Sequence, residues 1–221
     1  MTIINTVVLA DRIALMSDTS VKSDNDWGCT SKALGLPHLG AVTGCAGVLS
    51  VWLGWVRALL GGVPPGTDAF DLAAAAPELL QSLWQDSCLA PTAIVLGART
   101  PDGAAVAWIF SSPSFRARRL APGVWLMPST TARSPGNPPA EASPPAKYSP
   151  SGGPWSPIAI EPPEPWPHGW PDSIRMALDS TRQQRQQRRV SSGGSLELIV
   201  LTQDAIRSTR LEDLSFEPAV A

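Results

Sequence analysis

The chain has 221 residues, 43% hydrophobic and 16% charged, enough for one domain with a sizeable buried core. A formal charge of −2 and a pI near 5.7 provide no general attraction to nucleic acid or acidic lipid, which leaves such roles to a local basic cluster. Three cysteines without C-x-x-C spacing (Cys29, Cys45 and Cys88) argue against a disulfide framework, and two histidines (His38 and His168) leave little for a metal centre or a Ser-His-Asp triad. No signal peptide is evident, so the expected compartment is the reducing cytoplasm.

Residues 2–10, TIINTVVLA, are rich in β-branched side chains, and after Asp11-Arg12 comes a second short apolar run ending at Asp18. This predicts two strands joined by a tight hairpin. Residues 19–31 are polar, while 32–42 alternate loosely and supply a further strand. Residues 46–60, AGVLSVWLGWVRALL, are apolar on nearly every side and predict a helix buried over most of its surface, ended by Gly61-Gly62. The uncharged stretch extends back to residue 39, so a membrane span over 39–60 stands as an alternative, though the strands just before it argue for no membrane. A second helix follows, DAFDLAAAAPELLQSLWQD, capped by Thr67 or Asp68 and kinked or restarted at Pro77.

TAIVLGA, the turn 101–103 and AAVAWIFSS make a β-hairpin, with another short strand at 123–127. Residues 128–171 are dominated by Pro, Ser, Gly and Ala and predict a long irregular insertion within a single domain spanning 1–221. Residues 171–189 have helical composition, and SLELIVLT and AIRSTR form a last hairpin around Gln203-Asp204. Strands, two helices, strands, a helix and a hairpin predict an α+β fold, a four-layer αββα sandwich of two mainly antiparallel sheets. Arg182, Arg185, Arg188 and Arg189 cluster near the end of the predicted helix, where a solvated face is the ordinary outcome. Trp52, Trp55 and Trp84 fall at helical core or subunit-contact positions.

TIINTVVLADRIALMSD resembles the opening of a proteasome β-type subunit of the N-terminal-nucleophile hydrolases, the bacterial proteasome-like peptidases included. In that family an N-terminal threonine leads a strand, a hairpin and a second strand ending in aspartate. The resemblance implies Thr2 as nucleophile once Met1 is removed, with the free α-amine, of pKa roughly 7.7–8.0, as its base. It further implies that Lys32, or failing that Lys22, is held by Asp18 and lowers the proton affinity of the threonine. In GAVTGCAG it implies a backbone N–H at Gly44 for the oxyanion, with Cys45 at the entrance to the helix. SSGGSLELIVLTQDAIR resembles the family's C-terminal Ser-Gly-Gly, strand, turn and strand, with Ser192 contacting the threonine.

The sequence departs from the pattern at Arg189, where the family has an aspartate, and at Met127-Pro128-Ser129, where it has Gly-Ser-Gly. What the resemblance implies is a peptide- or amide-bond hydrolase that needs no cofactor or metal, assembles into a homo-oligomeric ring and works with an ATP-dependent unfoldase. The two departures make a catalytically inactive assembly subunit the alternative.

Overall fold

The computed structural model describes residues 3–22, 27–87, 90–127, 158–160, 179, 181 and 194–214, with the backbone alone at 20–22, 27–29, 158–160, 194 and 211–214. The β-branched opening forms β1 (Ile4–Val8), which turns through residues 9–12 into β2 (Ile13–Asp18) with Ile4 opposite Ser17 and Val8 opposite Ile13. After Asp18 the chain leaves the sheet as a two-stranded ribbon, β3 (Ser20–Lys22) with β4 (Trp27–Cys29). It returns as β5 (Ala33–Leu36), a short 3-10 turn at Pro37–Leu39 and β6 (Ala41–Ala46). Helices α1 (Leu49–Gly62) and α2 (Ala69–Gln85) follow. Then come β7 (Ala93–Arg99), β8 (Ala105–Ser111), β9 (Arg118–Leu120) and β10 (Gly123–Met127). Last are β11 (Ile158–Ile160), β12 (Gly194–Leu201) and β13 (Ile206–Leu214).

Two antiparallel sheets result, one ordered β11-β10-β1-β2-β12-β13 and the other β5-β6-β7-β8-β9. Alternation along each strand sends one set of side chains between the sheets and the other to an outer face. Ile4, Val8, Ile13, Leu15, Val42, Val95, Ile109, Ile199 and Leu201 fill the space between the sheets. Val51, Trp52, Trp55 and Leu59 of α1 and Leu72, Ala73, Ala76 and Leu80 of α2 bury the outer face of the five-stranded sheet. On the outer face of the six-stranded sheet Val7, Met16, Leu126 and Leu196 are buried together. The helical residue Thr181 lies over that face, its hydroxyl accepting from the Asn5 side-chain amide at 2.8 Å and lying 3.7 Å from the Met16 sulfur. Helix, sheet, sheet, helix is the αββα order expected from the sequence.

Three glycines of the five-stranded sheet let the sheets approach closely. A Cβ would meet Ile206 at 2.6 Å from Gly35, Ile4 at 2.2 Å from Gly44 and Ile13 at 3.0 Å from Gly97. Gly44 therefore has a packing reason to be glycine, quite apart from any chemistry.

Several local expectations are corrected. The polar segment 19–31 contains the β3–β4 ribbon, and 41–46 is a strand, so α1 starts three residues later than expected. Helix α1 leaves Leu53 and Leu60 more than half exposed, at 52% and 57%, so it is buried on one side only. A membrane span over 39–60 is incompatible with that strand and a 14-residue helix, and no helix among the described residues is long and apolar enough to cross a membrane. Helix α2 runs unbroken through Pro77, because Ala73, Ala76 and Leu80 on either side stay buried and hold the turn whose hydrogen bond proline removes. Asp68, not Thr67, is its cap, accepting from the Phe70 amide at 2.6 Å. Within the insertion expected to be irregular, 158–160 pairs with β10. The rest of 128–171 and most of 171–189, including the arginine cluster, lie outside the described residues.

Candidate functional site

Asp18 ends β2 with both carboxylate oxygens engaged. Oδ1 accepts the Ile3 backbone N–H at 2.8 Å, and Oδ2 accepts from the Lys32 ammonium at 3.1 Å. Lys32 immediately precedes β5, so this ion pair bridges the two sheets. It is almost wholly out of water, the side chains being 0% and 2% exposed. Taking each charge out of water costs several kcal/mol even after the protein relaxes, and only close geometry with further hydrogen bonds offsets that cost. The Ile3 amide supplies one such bond at the point where the chain enters β1.

The backbone around the pair is fixed on both sides. The Lys32 carbonyl accepts the Cys45 N–H at 2.9 Å, which ties the start of β5 to β6. Thr19, just after Asp18, donates its N–H to the Ser195 carbonyl at 3.0 Å, while its hydroxyl accepts the Ser195 N–H at 2.9 Å. The Thr19 carbonyl in turn accepts the Thr30 N–H at 2.8 Å, closing the base of the β3–β4 ribbon. The ribbon thus leaves at Asp18 and returns beside Lys32, and the β12 end nearest residues 191–193 is clamped to the same corner.

Cys45 is inert in this setting. Complete burial pushes its thiol up to about 12; the nearby Lys32 ammonium pulls it down and the Asp18 carboxylate pushes it up, neither enough to offset desolvation.

Of the residues singled out from the sequence, the structure brings together Asp18, Lys32 and Gly44. Lys32 is hydrogen-bonded to Asp18; for Lys22 only the backbone, paired opposite Trp27 in the ribbon, is described. Gly44 lies beside Lys32, 3.2 Å separating its would-be Cβ from the Lys32 carbonyl. It is not at a helix entrance, however, and neither is Cys45. Gly44 sits inside β6 between Ala33 and Val95, and the helix entrance is at Val48. Because the Cys45 amide points to Lys32, strand alternation turns the Gly44 amide the other way, into the ladder with β7. Thr2 and Ser192 lie outside the described residues, as does Arg189.

Three features of this corner had no signal in the sequence. The Thr19–Ser195 clamp joins residues 176 positions apart through backbone groups and a hydroxyl. The Ile3 amide contact depends on register alone. Gly47 follows β6 with φ +115°, and a Cβ there would meet the Pro91 carbonyl at 2.3 Å, so only glycine fits the turn from strand to helix.

Among solved structures the chain is similar to a Gly-1 mutant of Anbu from Hyphomicrobium sp. strain MC1, with a TM-score of 0.65 and 10% identity over 96% of this chain and 88% of that one. It is likewise similar to Anbu, described as an ancestral beta-subunit, from Yersinia bercovieri, with a TM-score of 0.64 and 11% identity over 95% of this chain and 86% of that one. No family model matches the sequence, and no curated protein does. The fold is therefore proteasome-like. The family assignment implied by the N-terminal and C-terminal motifs is corrected: these two Anbu chains are only 10–11% identical to this one, and a likeness at that level carries the fold alone.

Proposed function

We propose that the chain is an amide-bond hydrolase in which Thr2, carrying a free α-amine once Met1 is removed, attacks the substrate carbonyl. The observation that carries this is the buried Asp18–Lys32 pair joined to the Ile3 amide, since the Ile3 nitrogen is the atom bonded covalently to the Thr2 carbonyl carbon. A hydroxyl is a poor nucleophile until a base takes its proton, and an α-amine near neutral pH can be that base. A fixed ammonium close by favours the deprotonated oxygen, and Asp18 holds that ammonium in place. The α-amine then returns its proton to the leaving amine, and water resolves the acyl-enzyme. Ser192 keeps its proposed place as a contact of Thr2, the Thr19–Ser195 clamp being what fixes the nearby end of β12. We assign the oxyanion donor to the Gly47 amide, the first beyond the β6 ladder, in place of Gly44.

A homo-oligomeric assembly accompanies this proposal. Its support is the pair of exposed leucines on α1, Leu53 and Leu60, together with the likeness to the Yersinia Anbu chain, an ancestral beta-subunit. The rival function, an assembly subunit without activity, is favoured by the departures of the sequence at Arg189 and at Met127-Pro128-Ser129.

Intact mass of the purified protein and turnover of short peptide amides test the two together. The hydrolase predicts a chain beginning at Thr2 and turnover that disappears in Thr2→Ala with folding intact. Retention of Met1, or equal turnover by Thr2→Ala, contradicts it.

A further inference from the structure

Among the described residues, the buried inner face of the six-stranded sheet is apolar except along one row. On the inner face of the six-stranded sheet, alternation places Ser17 of β2 with Ile13 and Leu15, Thr6 of β1 with Ile4 and Val8, and Glu197 of β12 with Ile199 and Leu201. Ser17 lies directly opposite Glu197 on one side and Ile4 on the other, and Thr6 lies two residues beyond Ile4, opposite Leu15 and diagonal to Ser17. Ser17 and Thr6 are both 0% exposed. The Ser17 hydroxyl, the Thr6 hydroxyl and Glu197 Oε2 are all buried, and none has a hydrogen-bond partner among the described residues. Three orphaned oxygens on neighbouring strands of one face are improbable as three separate defects, because each buried polar atom left unsatisfied is costly.

We propose that this row is an internal water site, in which ordered water bridges Ser17 Oγ to Glu197 Oε2 and extends to Thr6 Oγ1. The donor and acceptor count fits. A carboxylate only accepts, a hydroxyl can do either, and a water donates twice while accepting from a neighbour, so one water satisfies Glu197 Oε2 and a hydroxyl together. The geometry fits as well: side chains directly opposite on adjacent strands have Cβ atoms about 4.5–5.5 Å apart, a gap that one water spans when the oxygens do not meet. This site does not depend on Thr2 or on any hydrolytic activity.

The test combines a crystal structure of the full chain, fine enough to show ordered solvent, with thermal unfolding of Ser17→Ala and Thr6→Val. A hydrated row predicts electron density for water between Ser17 and Glu197, and a fall of roughly 2–4 °C in Tm for each substitution, because each strips a partner from the water. A dry row predicts the reverse for both: an orphaned hydroxyl replaced by an apolar group of similar shape raises Tm. Absence of the water, or a rise in Tm for Ser17→Ala, overturns the proposal. Glu197→Gln keeps the shape and an acceptor oxygen, so it provides a variant that folds in either case and whose crystal structure still shows whether the water is present.

Discussion

The two ends of the sandwich solve the same mechanical problem in different ways. At the turn end, the β1–β2 loop is tied to the β7–β8 hairpin by Arg99 donating to the Asp11 carbonyl at 2.9 Å and by the Ala105 N–H donating to the Ala10 carbonyl at 3.0 Å. These bonds lie at the surface and end on backbone carbonyls, so the charged partner stays in contact with water. At the opposite end the sheets are joined by the Asp18–Lys32 ion pair, sealed from solvent. Closing a sandwich does not require a buried ion pair, as the first end demonstrates. A pair placed where desolvation costs the most, beside the first residues of the chain, is what a site that must hold a fixed ammonium would contain.

The contrast can be broken by mutation, and the largest effect is expected at the buried end. Asp18→Ala leaves the Lys32 charge without its carboxylate in the interior and should lower unfolding free energy by about 3–5 kcal/mol in a denaturant titration. A loss under 1 kcal/mol would mean the pair is hydrated. Gly44→Ala comes next. Its Cβ would overlap the end of the Ile4 side chain, which can swing aside, while the Lys32 carbonyl is less free to move, so about 1–3 kcal/mol is expected from the same titration. Arg99→Ala, at the exposed end, should cost only about 0.5–1.5 kcal/mol. An Arg99 effect as large as that of Asp18→Ala would erase the distinction between the two ends.

The smallest effect is a pH dependence at the turn end. The Arg12 guanidinium hydrogen-bonded to Asp11 holds that carboxyl below its ordinary value of 3.8. A carboxyl depressed in the folded state contributes stability above its unfolded pKa and loses it as pH falls through the folded one. Because Asp11 is exposed, solvent screening limits this to under about 1 kcal/mol. Asp11→Asn should therefore be slightly less stable than wild type at neutral pH, with the difference shrinking as pH falls through the range in which Asp11 is protonated; a difference unchanged by acid would mean that Asp11 acts through something other than its charge.

Much of the scaffold could be read from the chain because local chemistry and tertiary context agree there. The β-branched run at 4–8, the short hairpin after it and the 101–103 turn between two apolar strands all fold as their composition suggests. The start of α1 was misread because AVTGCA, a string of small apolar residues, has no period that distinguishes a strand from a helix lead-in. The β3–β4 ribbon was missed since its Ser, Asp and Asn residues favour turns and only the closure at Thr19 and Thr30 makes it pair. In the candidate site, Asp18 and Lys32 were reached through motif resemblance and not through pattern, because a lone aspartate and a lone lysine carry no spacing signal of their own. The juxtaposition of Ser17 and Glu197 likewise follows only from the register between β2 and β12, which no local pattern announces.

The most direct test of the central claim is covalent labelling with a β-lactone or epoxyketone probe, followed by mass spectrometric mapping of the adduct. The account predicts modification at Thr2 in the wild-type chain, lost in Thr2→Ala and strongly reduced in Lys32→Met provided that variant remains folded. An adduct that persists in Thr2→Ala, or a folded wild type beginning at Thr2 that takes up no probe, would contradict it.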